Sequence, residues 1–186
     1  MRKLTEVISF AIIVIASQAS AQMMKPAFGP ELAKLSFLTG NFTTQTRVTI
    51  DPGSSGGTTG SGTIRAHWGL DSMFVFLSSQ ENNPALGIYK GFGVLGYDSP
   101  NDQYTLTMFN NFADHPEYTG HFVGDTLMLF SKVASPQGSF DQQLKWFRDG
   151  NNVRLQIFND FGQGYSLMID QAATPSADST KGTQGK

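Results

Sequence analysis

Short runs in which hydrophobic and polar residues alternate, separated by turn-forming residues, make up most of this chain. The clearest run is residues 91–98, and after the turn at 99–102 the alternation resumes over 104–109. Alternation with a period of two is typical of a strand with one buried face, and glycine inside a strand marks a tight bend or a close approach of two backbones. The two runs therefore predict one hairpin of an antiparallel sheet.

The same pattern recurs along the rest of the chain, and no helical period separates the runs. Turn residues interrupt it at short intervals, for example at 82–84, 124–125 and 149–151. An unbroken series of short, turn-linked strands predicts an all-β protein, either an antiparallel up-and-down barrel or a sandwich, with about 8–10 strands. The predicted strands are 41–50, 61–69, 72–80, 86–98, 103–112, 117–123, 126–133, 139–148, 152–160 and 163–170.

One short helix is predicted immediately before the first strand. Pro30 stands at its first position, Glu31 lies in its first turn, and Leu32, Leu35 and Leu38 are spaced to share one face. Proline at the start and an acidic residue in the first turn both favour a helix N-terminus. We expect this helix to cap one end of the barrel.

The two ends of the chain differ in composition from the predicted barrel. Arg2 and Lys3 precede an apolar run at 7–16, and the small residues at 19–21 form a cleavage site before Gln22. This arrangement predicts a secretory signal peptide and export to the periplasm or the medium. The predicted organisation is a signal peptide at 1–21, an N-terminal lead-in segment at 22–29, the barrel domain at 30–170 and a disordered tail at 171–186.

Charge and composition restrict the partners. Loss of Arg2, Lys3 and Glu6 with the signal peptide would change the formal charge from −2 to −3, and the remaining basic residues are scattered. Nucleic acids and anionic membrane surfaces require clustered Lys and Arg, so neither is a predicted partner. The mature chain has no second long apolar run, which argues against membrane insertion. It has no Cys and 15 Phe, which predicts a Phe-rich interior without disulfides.

Four segments, in this order and spacing, resemble an uncharacterised bacterial family, domain of unknown function 1579. They are the opening at 29–42, a Trp-containing hairpin at 63–74, the strand at 91–98 and the Gly-Asp-Thr-Leu hairpin at 120–127. The resemblance implies a lipocalin-like (calycin) barrel, similar in shape to lipocalins, fatty-acid-binding proteins and haem-binding nitrobindins. The family has no established reaction or functional residues. This chain departs from its pattern at Phe42, in place of Trp, and at Ser72-Met73, in place of Gly-Arg.

Side chains with catalytic or metal-binding chemistry are few and scattered. The three histidines, His67, His115 and His121, are not at ligand spacing from one another, so no metal site is predicted. Haem on His67 or His121 is an alternative suggested by the likeness to nitrobindins, although those proteins carry their axial His late in the barrel. Most Asp residues lie in predicted turns, where they bond to the backbone, and no serine-hydrolase elbow occurs.

The favoured function is the binding of one small, largely apolar molecule inside the barrel. Period two places Ile64, Ala66 and Trp68 on one face of their strand, with Trp146 assigned to core packing. Two alternatives stay open: an enzyme that uses polar groups such as Tyr104, His67 or His121 at the cavity, and a filled barrel that acts through its surface. The residues predicted to face inward and contact the ligand are Trp68, Phe92, Val94, Tyr104, Leu106 and Met108.

Overall fold

A computed structural model describes residues 29–49, 56–135 and 138–176, which form a closed antiparallel barrel of ten strands. Each strand pairs with its neighbours in sequence, and β1 also pairs with β10, which closes the barrel. The predicted all-β up-and-down barrel with one short helix is therefore confirmed. The strands are β1 Gly40–Val48, β2 Thr58–Gly69, β3 Phe74–Asn83, β4 Gly87–Asp98, β5 Gln103–Asn110, β6 Glu117–Val123, β7 Thr126–Ser135, β8 Gly138–Asp149, β9 Asn152–Asp160 and β10 Ser166–Pro175.

The predicted helix is present, and it covers one end of the barrel. Helix α1 spans Pro30–Ala33 and continues as a 3₁₀ segment over Lys34–Leu38. Its three leucines, at positions 32, 35 and 38, are buried in the core. Proline has no backbone N–H. At the first helical position this loses no hydrogen bond, because an N–H there would have no partner within the helix. We call this covered end, which also carries the β2–β3, β4–β5, β6–β7 and β8–β9 connections, the closed end, and the opposite end the open end.

The tightly packed core lies in the half of the barrel beside α1. There the inward positions of successive strands carry large aliphatic side chains that exclude solvent completely. Such burial contributes about 1.5–3 kcal/mol for each large aliphatic side chain, so this half supplies much of the stability of the fold. The fully buried aliphatic side chains are Leu35, Val75, Leu95, Leu106, Leu127 and Leu129.

Strand β10 extends beyond the predicted end of the barrel at residue 170. It runs to Pro175, and its last residues pair with β1, with Ala173 opposite Thr44 and Pro175 opposite Phe42. The tail therefore cannot begin at 171, because β1 needs a partner along its length for the barrel to close. The predicted signal peptide, residues 22–28 of the lead-in segment and residues 177–186 lie outside the described residues.

Two further strand boundaries differ from the prediction at the open end. Strand β2 begins at Thr58, three residues before its predicted start at residue 61 and within a Gly/Ser/Thr-rich stretch. Strand β3 continues to Asn83, through residues predicted to form a turn. Gly60 in β2 and Asn82 and Asn83 in β3 have low strand propensity, and pairing with neighbouring strands outweighs that preference.

The predicted strand faces are correct for β2 and β5 and wrong for β4. Phe92 is 44% exposed on the outer surface, where its ring stacks on Phe76, and Val94 shares that outer face. The interior-facing positions of β4 here are glycines: a Cβ at Gly93 would lie 2.5 Å from Sδ of Met108. The side chains of neighbouring strands already occupy that space, so Phe92 and Val94 face outward, whereas Leu95, further along β4, faces inward and is fully buried.

Candidate functional site

A cavity of about 300 Å³ occupies the half of the barrel toward the open end. Its rim includes Leu86 from the β3–β4 connection and Phe112, Asp114 and Pro116 from the β5–β6 connection. Except for Pro116, which is half-buried, these rim residues are exposed, so the cavity reaches the surface at this end. The rest of the wall comes from inward-facing side chains of the barrel strands.

Most of the cavity wall is apolar. These side chains come from β1, β2, β3, β5, β8, β9 and β10, and three of them, Leu77, Leu144 and Trp146, also belong to the packed core. A second space of only about 30 Å³ lies deeper, between Leu38, Phe42 and Trp146. The apolar side chains that line the main cavity wall are Val48, Ile64, Leu77, Met108, Leu144, Trp146, Leu155, Ile157 and Ile169.

One part of the wall is polar and centres on a buried carboxylate. Glu81 of β3 is only 5% exposed. Its Oε2 accepts hydrogen bonds from the Thr44 hydroxyl at 2.8 Å and from Nε2 of Gln171 at 3.3 Å, and its Oε1 accepts one from the Thr46 hydroxyl. Nε2 of Gln171 also lies 2.9 Å from the Thr46 oxygen. We call Thr44, Thr46, Glu81 and Gln171 the Glu81 cluster; it joins β1, β3 and β10.

Two glycines of β2 allow the Glu81 cluster to form. Strand β2 lies between β1 and β3, so the Glu81 side chain must cross it to reach the β1 threonines. Gly62 is the β2 residue opposite Glu81, and a Cβ there would lie 2.6 Å from Oε2 of Glu81 and 2.1 Å from the main-chain oxygen of Gln80. A Cβ at Gly60 would lie 2.7 Å from Cβ of Asn83. Any larger residue at either position would force a neighbour to move.

Asn83 fixes the end of β3 beside the cluster. Its side chain is 1% exposed. Its Oδ1 accepts hydrogen bonds from the Thr58 hydroxyl at 2.7 Å and from the Ala85 N–H at 2.9 Å. Its Nδ2 donates to the main-chain oxygens of Thr46 and Thr58, both at 3.3 Å. These bonds satisfy the whole amide and hold the β3–β4 connection at the rim of the cavity.

A second polar group of the cavity lies on the opposite wall. The Tyr118 hydroxyl donates to Oε1 of Gln142, whose Nε2 donates to Oδ1 of Asn159 at 2.8 Å. Burial, and then the negative charge of Asp114, raise the pKa of Tyr118, and the same two causes raise the pKa of Tyr89. Both phenols are therefore neutral hydrogen-bonding groups at neutral pH.

The structure divides the six predicted ligand contacts. Met108 lines the cavity. Leu106 lies in the packed core of the closed end, and Trp68 packs against that core. Tyr104 is also buried there, and its hydroxyl lies 2.9 Å from both the main-chain oxygen and Oε2 of Glu31 in α1. These contacts have a structural role, because they hold α1 against β5. Phe92 and Val94 face outward, as described above.

Sequence reasoning missed Glu81, Gln171 and the cavity position of Trp146. Glu81 lay beyond the predicted end of its strand, and Gln171 lay in the predicted tail. One signal was present: inward alternation continues as Val75, Leu77, Ser79 and Glu81 on β3 and as Ala66, Ile64, Gly62 and Gly60 on β2. Trp146 was assigned to the core, and it is buried there, but its side chain also borders the cavity.

None of the three histidines is in the described lining of the cavity. His67, His115 and His121 are exposed, and the His67 ring lies against Phe76 on the outer surface. Within the described ranges, no group of three or more His, Cys, Asp or Glu residues is placed to hold a metal ion. None of the helices in those ranges has the length and hydrophobicity needed to cross a membrane.

Comparison with known proteins supports the fold and no more specific property. No protein family and no curated protein matches this chain by sequence. Among solved structures, the barrel is similar to the crystal structure of Rv2717c from M. tuberculosis, with a TM-score of 0.58 and 15% sequence identity. The match covers 80% of this chain and 98% of that chain. The resemblance to domain of unknown function 1579 stays a prediction.

Proposed function

We propose that this protein binds one small, largely apolar molecule in the cavity of the open half. The supporting observation is the cavity itself: about 300 Å³ of space with mostly apolar walls and two polar groups on opposite sides. Sites for small molecules typically have volumes of roughly 300–1,000 Å³ and this kind of lining, so the cavity lies at the small end of the range.

The cavity favours binding over the two alternatives. A filled barrel would leave no such space. An enzyme would need a reactive pair in the cavity, yet each oxygen of Glu81 is already held by at least one neutral donor and no His lines the described wall. Tyr118 is hydrogen-bonded to Gln142, and its raised pKa makes it a poor base at neutral pH.

Export is the second part of the proposal. It rests on the charged start, apolar run and small-residue cleavage site of residues 1–21. Intact-mass analysis of the exported fraction should give a chain that begins at Gln22. A cytoplasmic chain that keeps Met1 would contradict this part and leave the binding proposal unaffected.

Binding is tested with a neutral apolar fluorophore, N-phenylnaphthylamine, and two tryptophan variants. We expect the wild type to bind about one equivalent with enhanced probe emission, since one cavity is available. Met108→Trp should abolish binding, because Met108 lines the cavity and the indole would occupy it. Phe109→Trp is the matched control: the neighbouring residue is 50% exposed on the outer face and should leave binding unchanged.

Circular dichroism must first establish that both variants retain the barrel. Absence of probe binding to the wild type, or equal binding to Met108→Trp and Phe109→Trp, would contradict the proposal. Native mass spectrometry of protein purified from its own host would then show directly whether a small molecule is retained.

A further inference from the structure

We propose that the molecule held in the cavity is amphipathic and cationic: an apolar body with an amine whose ammonium group binds the carboxylate of Glu81. This inference rests on the proposed binding function and names the chemical class of the ligand. It comes from the charge balance of the cavity wall and from the order of polar and apolar residues along β3.

The charge of Glu81 is satisfied by hydrogen bonds but has no cation to balance it. Its three donors, Thr44, Thr46 and Gln171, are all neutral, and no ion pair involves Glu81 within the described part of the chain. A carboxylate has about four acceptor positions. Three are used, two on Oε2 and one on Oε1, so Oε1 retains one for a ligand.

A buried carboxylate without a counter-ion is costly, and a ligand cation would relieve that cost. Transfer of an ionised group from water into a protein interior is unfavourable unless the group is paired. The Glu81 side chain is almost completely buried, yet it borders the cavity. An ammonium group in the cavity would supply both the missing charge and the donor for the free position on Oε1.

The other charged side chain in the described cavity lining is negative, like Glu81. Asp114 stands at the rim, and the described lining contains no Lys, Arg or His. A carboxylate ligand such as a fatty acid would therefore meet two negative groups and no cation, which disfavours it. A neutral alcohol would meet no such repulsion but could not balance the charge of Glu81.

The order of side chains along β3 sets the orientation of the ligand. From the open end inward, the cavity-facing residues are Asn83, Glu81, Ser79 and Leu77. On this strand the polar residues therefore lie nearer the open end and the apolar residue lies deeper. The ammonium group would lie at Glu81 while the apolar body points toward Leu77 and the packed core.

The test uses three ligands with the same chain length that differ only in the head group: decylamine, decanol and decanoate. Each is used to displace N-phenylnaphthylamine from the wild type at neutral pH. We expect decylamine to displace the probe at about one-tenth of the concentration of decanol, the discrimination typical of one charge-assisted hydrogen bond. Decanoate should be the weakest competitor of the three.

Two variants assign the preference to a residue. Glu81→Gln keeps the shape of the side chain and two polar atoms but removes the charge, so it should bring decylamine and decanol to similar displacing concentrations. Asp125→Asn removes the same charge from an exposed turn at the closed end and should keep the preference. Persistence of the preference in Glu81→Gln would overturn the role of Glu81.

Failure of this inference and failure of the binding proposal give different results. If the wild type does not bind the probe, the binding proposal fails. If the probe binds but decanoate or decanol competes as well as decylamine does, the cavity stands and the cationic ligand class is wrong.

A measurement on the wild type covers the case in which Glu81→Gln does not fold. Intermolecular nuclear Overhauser effects should connect the methylene beside the amine with the methyl groups of Thr44 and Thr46. Effects that place this methylene only near Asp114 at the rim would contradict binding at Glu81.

Discussion

The two halves of the barrel use the same strands for opposite purposes. Toward the closed end, the inward positions hold large aliphatic side chains, and α1 adds three buried leucines. Toward the open end, the inward positions of β2 and β3 hold glycine, serine, glutamate and asparagine, and a cavity of about 300 Å³ remains, whose other walls are mostly apolar. Strand β3 shows the change within one segment, from Val75 and Leu77 to Ser79, Glu81 and Asn83.

This difference shows that period-two alternation determines which side chains face inward, while their size and polarity determine whether the interior is filled. Strand β2 follows the same gradient, from Ala66 and Ile64 to Gly62 and Gly60. The small residues at the open end leave space, and that space is used partly by the Glu81 side chain as it crosses β2. The closed half therefore stabilises the fold, and the open half carries the candidate site.

The largest expected effect comes from truncating a core residue of the closed half. Leu106 and Met108 lie two positions apart on the same face of β5, one in the packed core and one beside the cavity. Leu106→Ala should lower the free energy of unfolding by about 2–5 kcal/mol, because it opens a new cavity in a tightly packed region. Chemical denaturation measures this loss.

Met108→Ala is the matched comparison for Leu106→Ala. It enlarges an existing cavity, so we expect a clearly smaller loss of unfolding free energy than at Leu106. Equal losses for the two variants would show that the two halves are packed alike, which would remove the distinction between them.

A smaller effect is expected from adding one methyl group to β2 at the Glu81 cluster. Gly62→Ala should lower the free energy of unfolding by about 1–3 kcal/mol, because the new Cβ would overlap the main-chain oxygen of Gln80 and Oε2 of Glu81. Thr63→Ala alters the next residue, which is exposed on the outer face, and should change stability little. A Gly62→Ala variant as stable as Thr63→Ala would mean that Glu81 does not cross β2 at this point.

The smallest expected effect on stability comes from an ion pair on the outer surface of the barrel, which belongs to neither the packed core nor the cavity. Arg154 and Asp170 pair across β9 and β10, with Nε to Oδ1 at 2.7 Å and Nη2 to Oδ2 at 2.5 Å. Hydrogen bonds from Arg154 hold the pKa of Asp170 below its ordinary value of 3.8. A lowered pKa stabilises the fold above that ordinary value, and the contribution is lost as the pH falls through the folded-state pKa.

Asp170→Asn should therefore cost about 0–1 kcal/mol at neutral pH, since the pair is partly exposed to solvent. Urea denaturation at neutral pH and in acid measures the difference from the wild type. We expect that difference to shrink as the pH falls below 3.8. A difference that grows in acid would contradict the assigned direction of the pKa of Asp170.

Much of the fold follows from patterns that are local in sequence. The number of strands, the faces of β2 and β5, and the Pro30 helix were predictable because alternation and capping residues act within a few positions. The prediction was wrong for Phe92 and Val94 because hydrophobicity within β4 favours them as core residues. Their outward position depends on Met108 and other side chains of neighbouring strands, which only the closed barrel places opposite the glycines of β4.

The candidate site depends on contacts that are remote in sequence. Thr44 and Glu81 are 37 positions apart, and Thr46 and Gln171 are 125 positions apart. Glu81 and Gln171 also lie where turn-like or tail-like composition hides a strand, at the end of β3 and in β10. Only the register of β10, β1, β2 and β3 brings these residues together, so the Glu81 cluster could not be predicted from the order of residues alone.

The central claim is that the closed half is packed core and the open half holds the ligand. The most direct test of it uses the two tryptophans of the chain. Trp146 lines the cavity, whereas Trp68 packs against the core outside the cavity lining. Trp68→Phe leaves Trp146 as the single indole, and Trp146→Phe leaves Trp68. Titration with N-phenylnaphthylamine should strongly quench the indole emission of Trp68→Phe and quench that of Trp146→Phe much less. Equal quenching of both, or stronger quenching of Trp68, would place the ligand elsewhere and contradict the account.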